Sequence, residues 1–219
     1  MQPRAPPFRY HLPMGNAQNP RIREEIAAAA ARLVAESGLD YASAKRKAAR
    51  EVAGAARIAQ DLLPDNDEIE AALREYQRLF QADTQPAHLL QLRRTALAVM
   101  ELLPQYDLYL VGAAANGTAG EHSELYLQCY IESSKDLHID LLNAGVDADA
   151  DEISNPFGRG RVERVCFLYR GEGVNITCYP PNKARQIGEQ VGERLDYTGL
   201  VDLLEADTPD EGAKPHEQL

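Results

Sequence analysis

The sequence contains no tryptophan, four phenylalanines and three cysteines in 219 residues. The cysteines, Cys129, Cys166 and Cys178, have no CxxC spacing, which excludes the common zinc and thiol-redox motifs. The two later ones sit inside apolar runs that read as strands, so buried free thiols of a reducing cytosol are expected. No apolar run approaches the ~20 residues of a membrane-crossing helix, and the opening MQPRAPPFRYHLPMG lacks the apolar stretch of a signal peptide. These absences point to a soluble cytoplasmic protein with no membrane partner. Basic residues are also short, 23 Lys and Arg against 34 Asp and Glu, for a formal charge of −11. That balance excludes a whole-surface attraction to nucleic acid or anionic lipid. No GxxxxGK[ST] phosphate loop occurs, which argues against an ATP-dependent ligase built on one.

What is present is ordinary for a folded domain: 44% hydrophobic and 26% charged residues. The length fits one domain or one domain with an appendage. Residues 1–19, rich in proline, read as a flexible tail. Residues 20–84 read as a helical region. Asn19 can cap a first helix with Pro20 in its first turn, Ile22, Ile26, Ala30, Leu33 and Val34 form its stripe, and Gly38 ends it. A second helix is expected over Tyr41 to Val52, and GAARIAQDLLP is ambiguous. A third starts at a cap on Asp65 or Asn66, with Ile69, Leu73, Tyr76 and Phe80 at helical spacing.

Residues 85–206 change in character after a fourth helix whose core positions are Leu89, Leu92, Ala96, Val99 and Leu103. YDLYLVG reads as a buried strand. ELYLQCYI alternates, with Leu125, Leu127, Cys129 and Ile131 on one face and Glu124, Tyr126, Gln128 and Tyr130 on the other. KDLHIDLLNAG reads as a short helix capped by Ser133 or Ser134, though its own alternation leaves a strand open. VDADADEISNPFGRGR reads as an acidic, turn-rich connection. RVCFLYR and GVNITCYPP then read as strands joined by an RGEG hairpin turn, and DYTGLVDLLEA as a last helix. Residues 207–219 read as a flexible acidic tail. The order describes an α+β protein: one mixed sheet flanked by helices, preceded by a helical region.

The chemistry-bearing stretch runs from Gly112 to Leu127: Gly112, three alanines from Ala113 to Ala115, Asn116, Gly117, Thr118, Ala119, three variable residues, then Ser123, Glu124, Leu125, Tyr126 and Leu127. A strand ending in glycine lets backbone approach a triphosphate, and hydroxyls and amides after it supply donors to anionic oxygens. Side chains at i and i+2 of the next strand share a face, ~6.6 Å apart. This stretch resembles the signature of the minimal nucleotidyltransferases, Gly-Ser-x-Ala-x-Gly-Thr-Ala, three variable residues, then Ser-Asp-hydrophobic-Asp-hydrophobic, in ungapped register.

The resemblance implies a nucleotidyltransferase-like sheet and magnesium-dependent transfer of a nucleoside monophosphate from a nucleoside triphosphate to an acceptor. It places Gly112, Ala113, Gly117, Thr118 and Ser123 at nucleotide-binding positions and Glu124 at a metal-binding carboxylate. It also exposes a depletion. Ala113 stands for the serine and Tyr126 for the second carboxylate, and the strand that should bring the third offers Asn175 or Thr177. A neutral phenol is a poor magnesium ligand. Reduced or lost catalysis is therefore expected, the other reading being a non-catalytic module that binds a nucleotide or a protein partner. His122 beside Ser123 and Glu124 reads as a loop histidine, because triads are assembled from distant segments. AKRKAAR, with Lys45, Arg46, Lys47 and Arg50, could contact nucleic-acid phosphates. The plainer expectation is a solvated helix face whose charges pair with Glu51 or Asp40.

Overall fold

The structure, a computed structural model, describes residues 19–54 and 59–207. The two expected tails, apart from Asn19 and Asp207, and residues 55–58 of the ambiguous GAARIAQDLLP stretch lie outside the described residues. The chain divides into two compact units, Met1–Val34 with Leu39–Leu73, and Ala35–Gly38 with Arg74–Leu219.

The first unit is helical, and the ends of its first and third helices, from Ala35 and from Arg74, belong to the second unit. Helix α1 (Asn19–Ser37) starts with Pro20 in its first turn, where a missing amide costs nothing. Helix α2 (Tyr41–Ala53) is capped by Asp40, whose side chain accepts from the Ser43 amide at 3.0 Å. Helix α3 (Asn66–Phe80) opens on a reciprocal box: the Glu68 amide donates to Asp65 Oδ1 at 2.9 Å and the Asp65 amide to Glu68 Oε2 at 2.7 Å. Ile26, Ala30 and Leu33 of α1 meet Ala44 and Ala48 of α2 and Ile69 of α3 in a small core.

The second unit is a six-stranded mixed sheet with its main core on one face. Helix α4 (Gln85–Leu102) precedes β1 (Leu108–Val111), the single turn α5 (Ala113–Asn116), β2 (Leu125–Tyr130), α6 (Ser134–Asn143), β3 (Ala148–Ser154), β4 (Arg161–Tyr169) and β5 (Glu172–Tyr179). A short helix α7 (Ala184–Gly188), the two-residue strand β6 (Arg194–Leu195) and α8 (Tyr197–Ala206) complete it. The strand order is β3-β4-β5-β2-β1-β6; β2 and β5 run parallel and the other pairs antiparallel. Alternation sends Leu108, Leu110, Leu125, Leu127, Val165 and Ile176 into a core shared with Leu92 and Val99 of α4, Leu103 just after it, Leu137 and Leu141 of α6 and Leu200 of α8.

Two local expectations change, and one open choice is settled. The acidic connection contains β3, an edge strand pairing with β4 from Ala148↔Phe167 to Ser154↔Arg161. Its acids point to water, and charged edges resist pairing with another chain, so a hydrophobic pattern was never needed there. KDLHIDLLNAG is a helix, with the Ser133 side chain accepting from the Lys135 amide at 3.3 Å. In the last turns of α3 the buried position is Gln77, 6% exposed, while Phe80 is 69% exposed. The inward series is thus 69, 73, 77, one every fourth residue.

Candidate functional site

The Gly112–Ala119 loop is built from backbone that satisfies itself. Gly112 has φ +70° and Gly117 φ +83°, conformations that side-chain-bearing residues resist. The amides of Ala115 and Asn116 donate to the Gly112 carbonyl at 3.0 Å, and those of Thr118 and Ala119 to the Ala113 carbonyl at 2.9 and 3.0 Å. The Gly117 amide also reaches Ala113 O. From Ala115 to Ala119, then, each amide already has a partner within the loop. The Thr118 hydroxyl, buried, donates to Asn116 Oδ1 at 2.7 Å, and Ser123 Oγ accepts from the Gly120 amide at 3.0 Å. Ala113 supplies no side-chain donor.

Helix residues hold the same loop by its carbonyls. Arg93, 7% exposed, donates through Nε to Ala114 O at 3.0 Å and through Nη2 to Ala115 O at 3.3 Å, while its Nη1 pairs with Asp207 Oδ2 at 3.0 Å. Gln85 Nε2 donates to the carbonyls of Gly117 and Ala119 at 3.0 and 2.8 Å, and Gln77 Nε2 to that of Thr118 at 2.7 Å. Sequence reasoning missed all three holding residues. The signal was there for Gln77 and Arg93: each is a polar side chain falling in an apolar helical stripe.

Opposite the core, the sheet presents a polar face. Register places Val111 opposite Tyr126, Tyr126 opposite Asn175, Gln128 opposite Thr177 and Asn175 opposite Cys166. Glu124, Tyr126 and Asn175 thus come together. Asn175 Nδ2 donates to Glu124 Oε2 at 3.0 Å, and the Tyr126 hydroxyl donates to the same oxygen at 3.3 Å. Thr177 lies one step away along β5 and is buried. Burial, and then the neighbouring Glu124 charge, push the Tyr126 phenol above its ordinary value. Gly173 leaves space for the acid, since a Cβ there would stand 3.1 Å from Glu124 Oε1.

Cys166 and Arg164 join the site from β4; Cys166, expected as a buried thiol, is only partly buried, and Arg164 did not stand out in the sequence. The Cys166 thiol donates to Asn175 Oδ1 at 3.3 Å, and burial raises its pKa, so it stays a thiol. Arg164 forms a two-pronged pair with Asp151 at 3.0 and 2.6 Å. At the far end of this face, Val162, Tyr179 and Ile187 make a second small core with Tyr130 and Phe157 packed on it. The near end opens on a cleft of ≈ 750 Å³, lined among others by Glu124, Asn175, Cys166, Asp147, Asp149 and Leu168. No Lys, Arg or His is among its described lining residues. Among the described residues no group of three or more His, Cys, Asp or Glu is placed to hold a metal ion.

The remaining residues singled out in the sequence lie elsewhere. His122 is an exposed loop residue, while Lys45, Arg46 and Arg50 are on α2 of the first unit. No helix among the described residues is long and apolar enough to cross a membrane. No family model and no curated protein matches the chain.

Proposed function

We propose that the chain is a nucleotidyltransferase-like protein in which metal-dependent transfer has been lost and a non-catalytic binding module remains. One observation carries this reading: Glu124, Tyr126 and Asn175 converge, and only one of the three is a carboxylate. Two magnesium ions ~3.5 to 4 Å apart need carboxylates to bridge and neutralise them. Here the Asn175 amide and the Tyr126 hydroxyl direct their hydrogens at Glu124 Oε2, toward the place a cation would take. The donor set does not fit the pair of ions.

The loop supports the same reading, because the Thr118 hydroxyl donates to Asn116 and the amides from Ala115 to Ala119 are bonded within the loop. The cleft carries Glu124, Asp147 and Asp149 with no cation among its described lining residues, which repels a free triphosphate. Between a nucleotide and a protein partner, this favours the protein.

The test is a thermal-stability titration with ATP, CTP, GTP and UTP, with and without magnesium. The parent should show no magnesium-dependent rise. The double variant Tyr126→Asp, Asn175→Asp should acquire divalent-ion stabilisation that the parent lacks. Pairing Tyr126→Asp with Thr177→Asp should not, since Thr177 sits opposite Gln128. Magnesium-dependent stabilisation of the parent by one nucleotide, or pyrophosphate released by it, would overturn the proposal.

A further inference from the structure

The basic stretch AKRKAAR forms the outer side of α2. Ala44 and Ala48 are fully buried in the core of the first unit, while Arg46, Lys47 and Arg50 are exposed. Arg46 and Arg50 stand one turn apart, ~6 Å along the axis, with Lys47 three residues before Arg50 on the same side. The acids expected to neutralise them make their closest contacts with other groups. Asp40 caps the helix, and its hydrogen bonds with Ser43, ahead of the nearby Arg46 charge, hold its carboxyl below the usual range. Glu51 lies 3.8 Å from Arg32 of α1. Arg46 donates to Ser43 Oγ at 3.0 Å, and Lys45 reaches Asn66 Oδ1 at 3.4 Å. None of Arg46, Lys47 and Arg50 forms an ion pair with another described residue.

We propose that this face of α2 docks on the phosphate backbone of duplex DNA. An α-helix ~10 to 12 Å across fits the B-DNA major groove, about 12 Å wide, whereas the deep, narrow major groove of an RNA duplex does not admit one. Ala42 and Ala49, beside the cations on α2, carry only methyl groups. Helix α2 has no Asn or Gln for bidentate contact to adenine, and contacts of its cations to phosphates carry no sequence information. With a chain charge of −11 the attraction is local, acting within about 10 Å at 0.1 M salt.

The experiment is fluorescence anisotropy of the full chain with a labelled duplex of about 20 base pairs, from about 50 to about 200 mM KCl. Three neutralised phosphates give a log–log salt slope of about −2.7, an affinity loss of about 40-fold across that range. Arg46→Gln, Lys47→Gln and Arg50→Gln should each reduce the slope by about 0.9, and the triple variant should lose binding with an unchanged melting temperature. Arg46→Lys with Arg50→Lys should keep the slope, because phosphate docking needs charge alone. Absence of binding at low salt, a triple variant that binds like the parent, or tighter binding to single-stranded RNA of equal length would each overturn the proposal.

Discussion

The Gly112–Ala119 loop and the strand ends beside it are neighbours in the chain, yet they are held in different ways. Around the loop, three side chains from α3 and α4 reach five carbonyls, and Arg93 is anchored in turn by Asp207. At Glu124, Tyr126 and Asn175 the contacts are a few side-chain hydrogen bonds on a half-open face. The difference teaches that the loop is maintained as architecture, since buried carbonyls must be satisfied whatever the site does. Glu124, Tyr126 and Asn175 instead bond one another through side chains, and none of them holds a loop carbonyl.

The largest test of this contrast is Arg93→Met. It leaves the Ala114 and Ala115 carbonyls without their buried donor and should cost about 3 kcal/mol in urea unfolding. Gln77→Leu, which strands the Thr118 carbonyl, should follow at about 2 kcal/mol in the same measurement. If both cost less than Glu124→Gln, the contrast fails.

Asn175→Asp sharpens the other side. It sets a second carboxylate within hydrogen-bond distance of Glu124, and like charge raises the pKa of one of the pair. A carboxylate whose folded value lies above its unfolded value stabilises less as pH rises. The variant should therefore match the parent near pH 4 and fall about 1 kcal/mol below it by pH 7 in pH-dependent melts. Smallest is Asp151→Asn. Arg164 hydrogen-bonds the Asp151 carboxylate and holds it below its ordinary 3.8. Its contribution is present above that ordinary value and lost as pH falls through the lowered one. The pair is half exposed, so the substitution should cost at most about 0.5 kcal/mol at neutral pH and nothing in high salt.

Much of the fold was readable because local rules governed it. The helix starts at Pro20 and Asp65, the stop at Gly38 and the alternation of β2 are decisions between near neighbours. Strand β3 was hidden because an edge strand with both termini in turns needs no apolar face. Gln77 and Phe80 exchanged their expected places because a one-residue rotation of an amphipathic helix is settled by what it packs against.

The α+β composition, the order of strands and loop around Gly112–Leu127, and the pairing of one acid, Glu124, with Tyr126 two residues on were legible in the residues alone. Those follow from residue identity and from contacts within a few positions along the chain. Only the tertiary structure decided that the Tyr126 hydroxyl and Asn175 amide meet one Glu124 oxygen, and that Arg93 is tied to Asp207, 114 positions away. It also decided that the acids near Arg46 and Arg50 serve as a helix cap and as a partner for α1. Strand register and helix facing bring these groups together, and both come from burying one face of a whole element, which no short stretch encodes alone.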